Sequence, residues 1–509
     1  MAEISSNNKR IAKNTVMLYI RMLLSTVVSL YTSRVVLQTL GVEDYGIYGV
    51  VGGVVAMFSF LNSTMAGATS RFLTFEMGKG DKERLKDTFS SALIIHIGIA
   101  LLVFILAETV GLWFLNNKLV IPEGRMGAAH WVLQLSILAT MVGITQVPYN
   151  ATIIAHEKMD IYAYIELLHV FLKLGIVYLL VIGNFDKLIL YALLTFVVNV
   201  IIAMIYRIYC IRHYEESKFK AHLDKDISKN ILSFSAYNLL GNMGAVVNMQ
   251  GTNFVINMFF GVIYNAAASI GTTISGVVTG FASNIMTAFR PQITKSYAQD
   301  NISEFQSLLS WAIKSILLIY SLIAIPVGFA IDEILSLWLV EVPVYADVFC
   351  QLLLISIFFE TTRFIIIMGI HATGVVKFVS IFAGITFCLN PFIIYLLYSL
   401  NLSPAYAYVS VIFVNIILSI INVFILKHNE PRISLRKLVA AILQVIFVVL
   451  ISIGIVYFVC QYKTEKAFID IIIIGVTSSI LMCLLGFFVA LNKEQRQRAL
   501  RIIRSKIKK

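Results

Sequence analysis

The chain has 509 residues, of which 59% are hydrophobic and 13% charged, and its mean hydropathy is +0.86. This composition is typical of a protein whose exterior faces lipid, so it argues against a water-soluble class. Backbone polar groups in hydrocarbon must be satisfied internally, and apolar segments of roughly 20 residues predict membrane-spanning helices.

In chain order, the hydropathy pattern predicts fourteen spans. They cover residues 14–36, 46–68, 89–115, 128–152, 162–183, 188–209, 231–260, 264–288, 308–330, 346–370, 378–400, 405–426, 438–460 and 467–491. The first span has polar flanks and no small-residue cleavage site, so we interpret it as a retained helix and not a signal peptide.

The chain contains one membrane unit twice, displaced by about 216 to 220 residues. Leu40-Gly41-Val42 between the first two spans corresponds to Phe260-Gly261-Val262 in the second half. Polar breaks follow at Arg71–Lys86 and Arg290–Glu304, and Val198-Asn199 corresponds to Val414-Asn415. Duplicated helical halves are a recurrent plan of transporters that alternate access to a central site.

The repeat predicts an all-α membrane protein with two pseudo-symmetric six-helix bundles and two extra C-terminal helices. The first lobe covers residues 1–222, the second 223–426, and residues 427–509 hold the extra helices and a basic tail. Most of the 40 Lys and Arg residues lie on the side of the termini. Both termini are therefore expected in the cytoplasm, and the net charge of +12 needs no nucleic acid to explain it.

The basic tail Lys493–Lys509 has two possible functional interpretations. Its interleaved Leu and Ile residues suit a segment lying on the anionic cytoplasmic leaflet, whereas its charge alone would serve as an orientation signal. The second reading is favoured.

The sequence offers little chemistry for an enzyme. Gly78-Lys79 is followed by Gly80 and lacks the Ser or Thr of a phosphate-binding loop. Asp224-Lys225-Asp226 has the Asp-x-Asp form of a metal-bound nucleotide-sugar site, but one such triplet in a charged linker is expected by chance. The five cysteines show no metal or redox spacing. We therefore expect no catalytic site, metal or cofactor.

Charge inside the membrane is the most informative feature. Four cations are predicted in the inner halves of their helices, at about 10–16 Å from the cytoplasmic end, and are Arg21, Lys173, Lys314 and Arg363. Glu166, His169 and Lys173 follow i, i+3, i+7 spacing and share a helix face. Glu360 and Arg363 are close enough to neutralise one another. Such residues line a wet cavity or form satisfied ion pairs, and both readings stay open.

The predicted seventh helix carries a stripe of amide side chains. Asn238, Asn242, Asn253 and Asn257 project within about 100° of one another, with Gln250 just beyond. Such a stripe can hydrogen-bond sugar hydroxyls in a cavity, or it can join helices. The two interpretations are evenly balanced.

The chain resembles the multidrug/oligosaccharidyl-lipid/polysaccharide exporter superfamily, and within it the O-antigen and capsule repeat-unit flippases. The resemblance rests on the helix order, the opening Asn14-Thr15-Val16, the Leu40–Gly46 turn and Ala372-Thr373-Gly374. It implies two six-helix lobes around a cavity that moves an undecaprenyl-diphosphate-linked oligosaccharide from the inner to the outer leaflet. The setting would be surface polysaccharide synthesis in the bacterial inner membrane.

The candidate substrate-binding residues are Arg21, Lys173, Lys314, Arg363, Glu166, His169, Asn238, Asn242, Asn253 and Glu360. Candidate partners are the lipid-linked oligosaccharide, membrane lipids, a coupling H⁺ or Na⁺, and polysaccharide polymerase machinery. The alternative is a cation-coupled multidrug exporter of the same fold, although neither the first nor the seventh predicted helix has an Asp or Glu. Uncoupled movement by a scramblase or channel stays open.

Overall fold

In the computed structural model, every residue in regular secondary structure among the described residues is helical. The structure describes residues 2–156, 158–180, 182, 185–375, 377–461, 467–490 and 496. Within these ranges it does not describe the side chains of 2–22, 59–64, 66–67, 78, 234–240, 284, 287–288 and 291. The candidate residues Arg21 and Asn238 therefore lie outside the described side chains, as does nearly all of the basic tail.

The chain divides into two compact units, residues 1–266 and 267–509. The helices of the first unit are α1 (Ala2–Ala56), α2 (Ser59–Lys79), α3 (Lys82–Leu106), α4 (Leu112–Asn117), α5 (Met126–Ala155), α6 (Met159–Leu179), α7 (Lys187–His213) and α8 (Lys225–Phe260). A π-helical turn, Ala107–Gly111, joins α3 to α4, and a 3₁₀ turn, Glu215–Ser217, follows α7.

The second unit contains most of α9, which starts at the boundary. Its helices are α9 (Val262–Ala298), α10 (Ile302–Phe329), α11 (Ile331–Trp338), α12 (Ala346–Thr373), α13 (Lys377–Ser399), α14 (Tyr406–Asn429), α15 (Leu435–Cys460) and α16 (Ala467–Leu485). A second π-helical turn, Gly486–Ala490, continues α16. The last two helices pack on α10, where Gly486 lies against the side chain of Leu318.

Among the described residues, twelve helices are long and apolar enough to cross a membrane, so the predicted count of fourteen is not confirmed. The predicted span 46–68 is interrupted at Met57-Phe58, between α1 and α2. The predicted span 231–260 corresponds to α8, whose C-terminal half carries several amide side chains that lower its hydropathy.

Backbone breaks repeat at a nearly constant distance along the chain. Gly41 has φ 79° and ψ 170°, and Gly261, 220 residues later, has φ 80° and ψ −173°. This region of φ/ψ space is essentially restricted to glycine, so each glycine ends one helix and starts the next. Likewise, Asp81 caps α3 and Asn301, again 220 residues later, caps α10. The local repeat predicted from sequence is thus present in the backbone.

The compact units do not follow the predicted lobe boundary at residues 222 and 223. α8 packs against α1, α2 and α3, and belongs to the first unit. The linker before it is also held there, because Ser90 and Ser91 of α3 accept hydrogen bonds from the backbone N–H groups of Lys220 and Asp224. The six-plus-six lobe division stays a prediction.

The Asp-x-Asp triplet has a structural explanation. The Asp224 side chain accepts hydrogen bonds from the backbone N–H groups of Asp226 and Ile227, at 2.9 Å each. It is therefore the N-cap of α8, the position where Asp is strongly preferred.

Candidate functional site

The three predicted polar residues of α6 lie on one uninterrupted helix in the first unit. The Glu166 Oε1 accepts a hydrogen bond of 3.0 Å from the hydroxyl of Tyr206 on α7. The His169 imidazole interacts with the side chain of Asn199, also on α7, and its buried Nε2 has no hydrogen-bond partner among the described residues. Polar contacts of Glu166 and His169 therefore join α6 to α7 and form a polar seam between the two helices.

Lys173 is the exposed member of this seam. Glu166, two helical turns away, acts on it electrostatically, but Lys173 forms no hydrogen bond or ion pair with any residue that the structure describes. It lies 14 residues from the start of a 21-residue helix, or about 21 Å along its axis. This is deeper than predicted and beyond the helix midpoint, because α6 begins three residues before the predicted span.

Arg207 of α7 is a cation that sequence reasoning missed. Its Nη2 donates a 2.6 Å hydrogen bond to the Thr145 hydroxyl of α5, and its guanidinium lies 5.8 Å from the centre of the Tyr149 ring. The buried Nε has no hydrogen-bond partner among the residues that the structure describes. Arg207 lies two residues from the predicted end of its span, and the signal that could have found it is the continuation of α7 to His213.

In the second unit, Arg363 and Glu360 form the predicted pair on α12. Their closest atoms, Arg363 Nη2 and Glu360 Oε1, are 3.6 Å apart. The Arg363 side chain is 6% exposed and lies between the rings of Phe364 and Phe387, whereas the Glu360 side chain is 37% exposed. A ligand at this position would therefore meet the carboxylate before the guanidinium.

His371 at the end of α12 adds a second basic group that the sequence did not indicate. Arg290 of α9 acts on it electrostatically, and both side chains are exposed. Neither side chain forms an ion pair with a described carboxylate. Arg290 is thus an exposed cation without a described counter-charge, which suits an anionic ligand.

Among the residues that the structure describes, Lys314 of α10 is bound to a backbone carbonyl and not to a side chain. It is 3% exposed, and its Nζ donates a 2.7 Å hydrogen bond to the backbone carbonyl of Ala490. This contact joins α10 to the end of the last helix. The role of Lys314 in substrate binding stays a prediction, and it must be weighed against this anchoring contact.

The amide stripe of α8 contains one residue whose role is structural. Asn257 is fully buried, accepts a 2.7 Å hydrogen bond from the Val120 N–H and donates one of 2.9 Å to Asn265. The Asn265 side chain in turn donates to the Asn253 carbonyl. Asn242 and the Asn253 side chain are partly exposed, so they remain candidates for sugar recognition.

The family comparison matches residues 9–297 to the model of a family described as polysaccharide biosynthesis protein. The uncharacterized membrane protein EpsK of Bacillus subtilis (strain 168) is 19% identical over 324 residues, which are 62% of this chain and 63% of EpsK. The match thus spans somewhat less than two thirds of that relative.

Several solved structures have the same fold. The lipid II flippase MurJ, in an inward closed conformation, superposes with a TM-score of 0.69 at 14% identity, covering 93% of this chain and 99% of MurJ. A MOP-superfamily transporter from Pyrococcus furiosus has a TM-score of 0.60 at 14% identity, covering 84% of this chain and 96% of that transporter. The Vibrio cholerae MATE transporter VcmN has a TM-score of 0.58 at 16% identity, covering 86% and 99%. With the family match over more than half of its length, the chain belongs to the polysaccharide biosynthesis protein family and has the fold of MOP-superfamily transporters.

Proposed function

We propose that this protein is a flippase that moves a lipid-linked oligosaccharide from the inner to the outer leaflet by alternating access. The family supports a role in polysaccharide synthesis, and the fold is shared with a lipid II flippase. The substrate would be an oligosaccharide on undecaprenyl diphosphate. The protein would lie in the bacterial cytoplasmic membrane with both termini in the cytoplasm.

The observation that supports this proposal most directly is that Lys173 is an exposed cation without a described partner inside the membrane-spanning part of α6. A charged residue at the bilayer centre costs about 2.5–3.5 kcal/mol on insertion scales, so it is normally paired or functional. Lys173 is exposed and has no ion pair among the described residues, although it lies beyond the midpoint of α6. A diphosphate crossing the membrane needs a cation at this depth, and Lys is a residue that binds phosphate.

Other polar groups in each unit have chemistry that suits the rest of such a substrate. In the first unit, Arg207 has a buried Nε without a hydrogen-bond partner among the described residues. In the second unit, Arg290 is an exposed cation without an ion pair to a described carboxylate. Glu360 supplies an accessible hydrogen-bond acceptor for sugar hydroxyls. Cations would hold the diphosphate, which lipid-linked substrates share, while carboxylate and amide groups would read the sugars, which vary.

The second candidate is a cation-coupled multidrug exporter, because MATE transporters share the fold. The accessible Glu360 carboxylate is the observation that favours it. A drug exporter would depend on Glu360 and be indifferent to Lys173, whereas a diphosphate flippase would depend on Lys173.

The test is transport by the purified protein in vesicles, with a fluorescent undecaprenyl-diphosphate oligosaccharide and with a cationic dye. Lys173→Ala should lower flipping at least about tenfold, the loss of one charge-assisted contact, and Lys173→Arg should restore part of it. Lys118→Ala is the matched control, since Lys118 lies near the Trp113 ring outside the predicted spans. If the protein transports the dye in a Glu360-dependent way and does not move the lipid, it is a drug exporter and not a flippase.

A further inference from the structure

His96 of α3 is a buried imidazole with one unpartnered nitrogen. It is 0% exposed, and its Nδ1 lies 2.7 Å from the backbone carbonyl of Ala92, one turn earlier. A carbonyl oxygen can only accept, so Nδ1 carries the proton and Nε2 is left as the acceptor. That Nε2 has no hydrogen-bond partner among the residues whose side chains are described.

The site lies inside the membrane, where α2 and α8 pack on α3. His96 is 14 residues from the start of α3, or about 21 Å along the axis. Ala92 belongs to an apolar cluster with Ala68 of α2 and Ile231 of α8, and Ile95 packs against it. Thr69, next to Ala68, is also 0% exposed, and its hydroxyl has no hydrogen-bond partner in the described part of the chain. Two unpartnered polar groups therefore belong to helices that pack together.

The internal repeat shows that packing alone does not require this histidine. The residue 220 positions later is Ile316 of α10, which is also 0% exposed. An apolar side chain thus fills the corresponding place in the second half. The imidazole of His96 is an addition to the first half, and a buried ionisable group in a membrane helix is a functional candidate.

No charged side chain among the described residues acts electrostatically on His96. Packed around α3 are α2, α5, α8, the 3₁₀ turn after α7 and the π-helical turn that continues α3. Their charged and titratable groups other than tyrosines are Arg71, Glu76, Lys79, Glu108, His130, Lys225, Asp226, Lys229, Glu215 and Glu216. Those on α5 and α8 lie within about two turns of a helix end. An imidazolium at His96 would be a buried charge without a counter-charge, which is strongly unfavourable.

We propose that His96 is a proton-binding site that couples transport to a proton gradient. In the packed conformation the imidazole is neutral. Separation of α2 or α8 from α3 would admit water, and the Nε2 lone pair would bind a proton from one side of the membrane. Repacking would expel that proton to the other side, so that proton movement and helix movement occur together. The proposal rests on the proposed function only through the transport assay.

The experiment uses the full-length protein in vesicles of fixed lipid composition, with the fluorescent lipid-linked oligosaccharide and an imposed difference of two pH units. One proton can bias transport by at most about 100-fold under this gradient, and we expect at least about fivefold for the wild type. His96→Ile, which copies Ile316, should keep movement without a gradient and lose the stimulation. His130→Gln, a histidine in the first turn of α5, should behave like the wild type.

A second measurement covers the case in which His96→Ile does not fold. Histidine ring NMR of the wild type, assigned with His96→Gln, should show His96 neutral without substrate and protonated in part during turnover. Full stimulation of His96→Ile, or an imidazole that never titrates, would overturn the proposal. Gradient-independent flipping by the wild type would overturn it too, while leaving the flippase function standing.

Discussion

The ammonium of Lys314 on α10 donates a hydrogen bond to the carbonyl oxygen of Ala490, 176 residues later in the chain, at an N···O distance of 2.7 Å. Arg496 donates a second such bond, of 2.6 Å, to the carbonyl of Phe488. Cations at the C-terminal end of a helix satisfy its last carbonyls and interact favourably with the helix dipole. The last helix is therefore joined to α10 by the Lys314 hydrogen bond as well as by apolar packing.

Lys314→Ala should lower the free energy of unfolding by about 2–4 kcal/mol, because it leaves a cavity and a buried carbonyl without a donor. Lys314→Met should cost less, since it fills the volume. Lys377→Ala, an exposed lysine at the start of α13, is the control. The measurement is denaturant unfolding in detergent, with protease cleavage between α14 and α15. Loss of flipping with unchanged stability would instead return Lys314 to the substrate site.

Arg125, just before α5, binds two carboxylates of the first unit that are far apart in the chain. It forms two hydrogen bonds to Asp44, of 2.6 and 2.8 Å, and two to Asp186, of 2.6 and 3.2 Å. Asp186 also caps α7 through the N–H groups of Leu188 and Ile189. The hydrogen bonds from Arg125 are the largest cause that lowers the pKa of Asp186 below its usual range.

Because the folded pKa of Asp186 is depressed, its contribution to stability is present above the usual Asp value of about 3.9 and is lost as the pH falls through the lower folded value. Arg125→Met should cost about 1–3 kcal/mol at neutral pH and flatten this acid dependence. Asp186→Asn keeps a side chain that caps α7 and removes the charge, so it should also flatten the acid dependence of stability. Unfolding curves between pH 7 and acid would contradict the prediction if Arg125→Met were as acid-sensitive as the wild type.

Asn257→Ala should destabilise the protein by about 2–4 kcal/mol without changing which sugars are transported, because it removes three hydrogen bonds from a fully buried amide. Asn242→Ala, on the partly exposed part of α8, should leave stability nearly unchanged and alter which sugars are transported. The check is thermal unfolding beside flipping of two oligosaccharides of different sugar sequence. Changed discrimination in Asn257→Ala would make this residue part of the substrate site.

The two break glycines should tolerate no side chain. Gly41→Ala and Gly261→Ala should each cost about 1–3 kcal/mol, since their backbone angles are essentially restricted to glycine. Gly52→Ala is the matched control, because it is helical and a Cβ there would meet no atom within 4 Å. It should be neutral or stabilising by up to about 1 kcal/mol. Equal effects at all three positions in unfolding experiments would refute this explanation.

The breaks at Gly41 and Gly261 could be predicted from sequence because they are local. A glycine between two apolar runs, repeated 220 residues later, specifies where each helix ends whatever surrounds it. The polar face of α6 was also predictable, since the spacing of Glu166, His169 and Lys173 depends only on helix geometry.

The partners of the polar groups were not predictable in this way. Lys314 and Asn257 both bind backbone groups, and every residue carries these, so no pattern of side chains marks Ala490 or Val120 as a partner. Arg207 was missed for another reason, because it lies near the predicted end of its span and its partner, the Thr145 hydroxyl, is 62 residues away. Sequence alone determined that this is a duplicated helical membrane protein and which residues leave charge within it, because hydropathy and helix period are local properties. Only the tertiary structure decided that Lys173 has no partner among the described residues, because pairing depends on distances between helices remote in the chain.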